Sequence, residues 1–152
     1  MYLTVLTIHS WLRWAALLLG VAATVNAFRH RADTAERPRG ERWDWWFMLA
    51  LDLQVLFGVL LYFGFSPFTR EAMTNVGMAM RDPGLRFWAV THAATMAVAL
   101  VAVRMGRVFA IGGRTSGGRR NGRHICFAIA VCAMVAGVPW PGLANGRPLF
   151  RF

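Results

Sequence analysis

Three short stretches carry the side chains that could do chemistry: HSWLRW at residues 9–14, LDLQ at 51–54 and THAATM at 91–96. His9 and Arg13 are four residues apart, as are His92 and Met96, so on a helix each pair shares one face. A histidine inside an apolar run offers a neutral imidazole nitrogen, which suits a metal ion or a proton. Arg13 offers a fixed positive charge for a haem propionate, a quinone carbonyl or a carboxylate. Asp52 is the expected carboxylate partner of Arg13, and Gln54 adds a second polar side chain beside it. Met96 with His92 fits a soft ion such as copper, but a methionine on a lipid-embedded helix more often serves packing. No Ser-His-Asp set or carboxylate pair is visible, which leaves hydrolytic chemistry without support.

The elements that must position these groups follow from composition. Hydrophobic residues make up 57% of the 152-residue chain, and its mean hydropathy is +0.42. A water-soluble domain of this size has too much surface to hide so many apolar side chains. A bilayer is the better solvent, and lipid is the first expected partner. Four apolar runs emerge, at about 3–28, 45–65, 85–103 and 125–140. Each is near the roughly 20 residues needed to cross the hydrocarbon core, the fourth being short. Backbone groups in lipid must be satisfied within the segment, so the runs are read as helices. The expected fold is all-α: one integral membrane domain over 1–152, a four-transmembrane-helix up-down-up-down bundle. In the loop FSPFTREAMTNVGMAMRDPG, the apolar Phe68, Met73, Val76, Met78 and Met80 leave two readings open. One is a short interfacial helix; the other is a loop packed over the bundle mouth.

Charge orders the connections. All seventeen basic residues are Arg, against seven acidic ones. Eleven of them fall in residues 29–44 and 104–123, which places these two loops in the cytoplasm and both chain ends outside. Basic loops between apolar spans account for the pI near 11.6 without nucleic acid. Trp43, Trp45 and Trp46 then mark the inner interface, and Trp88 and Trp140 the outer one. GGRTSGGRRNGR (112–123) reads as a flexible loop and not as a phosphate cradle, since no strand-to-helix unit surrounds it. Cys126 and Cys132 match no zinc or redox motif and read as small buried hydrophobes. The first run has no basic residue before it and an Arg cluster after it, and so reads as a retained helix.

On this topology His9 lies about 9 Å below the outer end of its helix, His92 about 9–10 Å, and Arg13 about 15 Å. Asp52 falls near the height of Arg13. Helices one and three of such a bundle are diagonal neighbours. Two imidazoles at matched depth on facing helices are what axial ligation of one haem b requires. A packing role for both histidines stays open, because an intramembrane histidine also fixes helices by hydrogen bonding. His30 and His124 sit beside Arg clusters at the cytoplasmic ends and read as solvated.

The motifs HSWLRW, DLQVLFGVLLYF, AMRDPGLRFWAVTH, MAVALVAVRMGR and VPWPGLANGRPLF, in this order, resemble a family of small bacterial four-helix membrane proteins labelled cytochrome-b-like. That resemblance implies motif positions at His9, Arg13, Asp52, Gln54, Arg86, His92, Arg104 or Arg107, and the Pro139-Trp140 and Arg147-Pro148 turns. The third-helix motif of that family places Glu before the histidine, where Thr91 stands here. The leading expectation is a b-type cytochrome-like electron-transfer protein of the bacterial inner membrane, exchanging electrons with quinol. One haem is the ceiling, with His9 and His92 as ligands and Arg13, Asp52 and Met96 lining the site. The alternative is a cofactor-free accessory subunit of a larger respiratory or photosynthetic complex, with other membrane subunits as partners. A small transporter ranks last, for want of broken helices or an internal repeat.

Overall fold

A computed structural model describes residues 1–30, 41–112, 116–143 and 145–150, and the side chains of these outside 112–120. Arg31, Arg37, Arg39, Arg114 and Arg151, which enter the topology expectation, lie outside the described residues.

Helix is the only regular structure among the described residues. The first apolar run forms α1, Tyr2–Arg29. The second forms α2, Glu41–Leu60, and continues as a π-helical turn over Leu61–Phe65. Two short helices follow, α3 (Pro67–Thr74) and α4 (Val76–Arg81). The third run begins with α5 (Pro83–Arg86), passes through a π turn over Phe87–Thr91, and becomes α6 (His92–Gly112). The fourth is α7, Ser116–Gly137.

Three of these helical stretches, Tyr2–Arg29, Glu41–Phe65 and Pro83–Ile111, are long and apolar enough to cross a membrane. Their outward faces carry Leu18, Leu56, Phe63, Val101 and Ile111, all exposed. Such a surface suits lipid, because a water-soluble monomer rarely leaves so wide an apolar patch bare. The apolar part of α7, Asn121–Gly137, is shorter.

Small residues let these helices approach closely. A Cβ on Gly106 would come 2.5 Å from Phe127 Cε1, and one on Gly122 would come 2.6 Å from Phe109 Cγ. This packing of α6 on α7 corrects the flexible-loop reading of 112–123: the chain is helical again from Ser116. Gly122 is a contact surface for an aromatic ring, the use that small residues have between membrane helices. Gly20 similarly admits Phe47 of α2 against α1. The core is built from Phe47, Leu51, Val103 and Phe127, with the Phe47 and Phe127 rings edge-to-face at 5.8 Å. α1 packs between α2 and α7, and α6 packs on α7 and more lightly on α2. α1 and α6 thus each pack on both α2 and α7.

One end of the bundle is locked by charge. Asp44 is fully buried and accepts from Arg123 Nε at 2.9 Å and Nη2 at 2.6 Å. Arg107 adds a contact to Asp44 at 3.7 Å and a bond to Glu41 at 3.1 Å. Helices α2, α6 and α7 are thus tied at one level.

At the other end, the segment between the second and third runs is helical, forming α3 and α4. Ser66, Asn75 and Asp82 cap α3, α4 and α5 with their side chains. Ala72, Ala79 and Leu85 form a small core with Phe68 and Ala89, so the loop is helical and packed down. Met73, Val76, Met78 and Met80 remain exposed. Cys132 is also exposed, which corrects its reading as a buried hydrophobe. It shares the bare apolar surface of α7 with Ile125, Ile129 and Val135.

Candidate functional site

The π turn over Phe87–Thr91 ends at His92, and the π turn over Leu61–Phe65 lies beside it. Tyr62 joins the two by donating its hydroxyl to the Ala89 carbonyl at 2.8 Å. Wide turns of this kind free carbonyls from the regular ladder and recur at functional sites. Here they frame the end of the bundle where the two span histidines meet.

His9 and His92 face each other across the interior with ring centres 6.3 Å apart and planes at 73°. His9 Nδ1 lies 3.1 Å from the Gln54 carbonyl oxygen, and His92 Nδ1 lies 2.8 Å from that of Gly137. A carbonyl only accepts, so each Nδ1 holds the proton and donates. The Nε2 of both rings is therefore a lone-pair nitrogen, the tautomer that a metal ligand or a hydrogen-bond acceptor needs. The Gly137 carbonyl is one of the orphan acceptors that end α7, and His92 satisfies it. Gln54 Nε2 donates to His9 Nε2 at 3.2 Å. Its Oε1 is buried with no partner among the described residues.

These groups line a cavity of about 110 Å³, together with Gly58, Met96 and Met134. Gly58 is what lets His9 in, since a Cβ there would stand 3.3 Å from His9 Cε1. Met96 lines the cavity as expected from its i+4 relation to His92. Among the described residues no group of three or more His, Cys, Asp or Glu side chains gathers around a point.

Arg13 also borders the cavity, but its guanidinium serves the chain itself. Nη2 donates to the Leu149 carbonyl at 2.7 Å, and Trp14 Nε1 reaches the same oxygen at 3.0 Å. Phe150 stacks on Trp14 at 5.5 Å. The segment after α7 is thereby folded back onto α1, and its Arg147 lies 4.8 Å over the Phe68 ring and 5.4 Å over Trp88.

Asp52 is not part of the site, and the expected Arg13–Asp52 pair is overturned. Its carboxylate is held by Arg104 Nη2, at 2.7 Å from each oxygen, on the outside of the α2–α6 seam. The reason is azimuth. Two residues of helix turn the direction by about 200°, so Gln54 facing inward sends Asp52 outward. Gln54, with Gly58 and Leu61 on its stripe, is the residue that sequence reasoning placed only as a neighbour. The Asp44–Arg123 lock was missed entirely; its signal was an acid inside the tryptophan-rich run WDWW. His124 packs edge-on against Phe28 at 5.7 Å instead of standing in a loop.

Comparison with protein-family models, with curated proteins and with solved structures finds no match.

Proposed function

We propose that this chain is a four-span b-type cytochrome-like protein of the bacterial inner membrane, with both ends outside, exchanging electrons with quinol. The observation that carries the reading is the His9–His92 pair. A metal–imidazole bond is about 2.0 Å and each nitrogen is roughly 1 Å from its ring centre, so imidazoles sharing one ion have centres about 6 Å apart. The pair stands at 6.3 Å. Both Nδ1 atoms are tied to backbone carbonyls, the outer-shell contact that orients ligand histidines. Two imidazoles without a third ligand suit an iron that brings four nitrogens of its own better than a bare ion.

The residues therefore fit a haem as a donor set. His9 and His92 would hold it; Arg13 and Arg147, which also line the cavity, would meet its anionic edge. Bound haem would supply one-electron exchange at iron. For His9 to ligate, the Gln54 amide must swing off its Nε2. Met96 and Met134 must yield space as well, because the cavity is ring-sized. The resemblance of the motifs supports the same reading.

A second reading has its own observation. A cavity of about 150 Å³ lined by apolar groups takes benzene, and this one is about 110 Å³ with an unpaired Gln54 Oε1 on its wall. A quinol headgroup, with two hydroxyl donors, suits the two acceptors Gln54 Oε1 and His92 Nε2.

Visible spectra of the purified protein, oxidised and dithionite-reduced after expression with ample haem, test the proposal. A Soret band with a sharp α band, lost in His9→Ala and in His92→Ala, is the expected result. Featureless spectra overturn the haem reading. Saturable binding of a short-chain quinol by such a haem-free protein then selects the second reading, and its absence an accessory subunit.

A further inference from the structure

The Asp52–Arg104 pair sits where lipid should be. Asp52 lies near the middle of the Glu41–Phe65 span, and its side chain is 35% exposed, that of Arg104 49%. Among the described residues, Arg104 is bonded through Nη2, to Asp52. An arginine has five N–H donors, and among the described residues those on Nε and Nη1 meet no acceptor. Arg104 falls within the Pro83–Ile111 stretch and not in the loop after it; hydrocarbon offers no acceptor there, and unsatisfied donors within a span are costly. Arg104 also reaches toward the middle of the span and not toward the nearer end of its helix, so it does not escape by snorkelling. Around the pair runs a continuous apolar face: Leu56 and Val59 on α2, Val101, Val108 and Ile111 on α6, all exposed.

We infer that this α2–α6 face is covered by a second copy of the chain, related by a two-fold axis along the membrane normal. Such an axis keeps every residue at its own depth, so Arg104 of one copy meets Asp52 of the other, and the reverse. The face carries one acid and one base at one height, which makes it self-complementary in charge. A valine- and leucine-lined surround then packs against its own equivalent. Acyl chains cannot supply the acceptors, whereas a second Asp52 does. The inference is independent of what the interior cavity binds.

Cross-linking in native membranes tests it with the charges left intact, in a Cys126→Ala, Cys132→Ser background. Val101→Cys should give a disulfide-linked dimer on mild oxidation, while Leu18→Cys, exposed on α1, should not. Removing both charges, Asp52→Leu with Arg104→Leu, should lower the Val101→Cys dimer yield by about tenfold, the loss of roughly 1.4 kcal/mol of interhelical hydrogen bonding. Monomer alone from Val101→Cys, equal yields from both cysteine positions, or a yield unmoved by the double Leu variant would each overturn the two-fold interface.

Discussion

Both ring nitrogens of His9 are engaged by one residue, Gln54: Nδ1 by its backbone carbonyl and Nε2 by its side-chain amide. The backbone contact orients the ring and leaves the tautomer fixed. The side-chain contact is the removable one, and it stands exactly where a ligand would have to approach His9. Under the proposed function, Gln54 would therefore act as a gate to His9.

Gln54→Leu should remove the gate at little cost. The substitution deletes a buried amide whose Oε1 is already unsatisfied, so the change in unfolding free energy should stay within about 1 kcal/mol. Haem titration of the detergent-purified variant should reach saturation at an equal or lower haem concentration than the parent. A higher midpoint would mean that Gln54 holds the cofactor and does not exclude it.

The Asp44–Arg123 lock predicts a different pattern. Arg123→Leu leaves Asp44 buried with only the longer Arg107 contact, and should destabilise by about 3–5 kcal/mol. Adding Asp44→Leu should recover much of that loss. Thermal unfolding of both variants checks this, and additive losses would contradict the coupling.

A double-mutant cycle on Asp52 should report on Arg104 and not on Arg13. Coupling of about 0.5–1.5 kcal/mol is expected for Asp52→Asn with Arg104→Gln, and near zero with Arg13→Gln, since separated residues add.

Gly106→Ala should be harsher than Gly58→Ala. The first drives a methyl to 2.5 Å from the fully buried Phe127 ring and should cost about 1–3 kcal/mol. The second stands 3.3 Å from His9, and should show mainly as altered ligand binding with stability nearly kept.

Arg13→Leu should loosen the segment that follows α7. Hydrogen exchange at Arg147, Leu149 and Phe150 should speed up, while α1 amides around residue 13 stay protected. Unchanged exchange in the segment would show that Trp14 and Phe150 hold it without the guanidinium.

Much of this architecture is legible in residue order alone. The apolar runs mark the long helices to within a few residues at α1 and at the end of α2, and the 1.5 Å rise per residue sets His9 and His92 at one height. Their meeting follows from that height and from diagonal placement. The short helices between are one of two readings that the sequence allows, and their caps Ser66, Asn75 and Asp82 emerge only in the structure. What residue order left open is rotation about each helix axis. Asp52 and Gln54 are neighbours in height yet face opposite ways, and only the packing of Phe47 and Leu51 into the core decides which of them looks inward. The same holds for the glycines of 112–123, whose composition reads as loop until Phe109 occupies the space above Gly122. Height is a property of one helix, whereas azimuth and partner are settled jointly by all the helices that compete to fill the same volume.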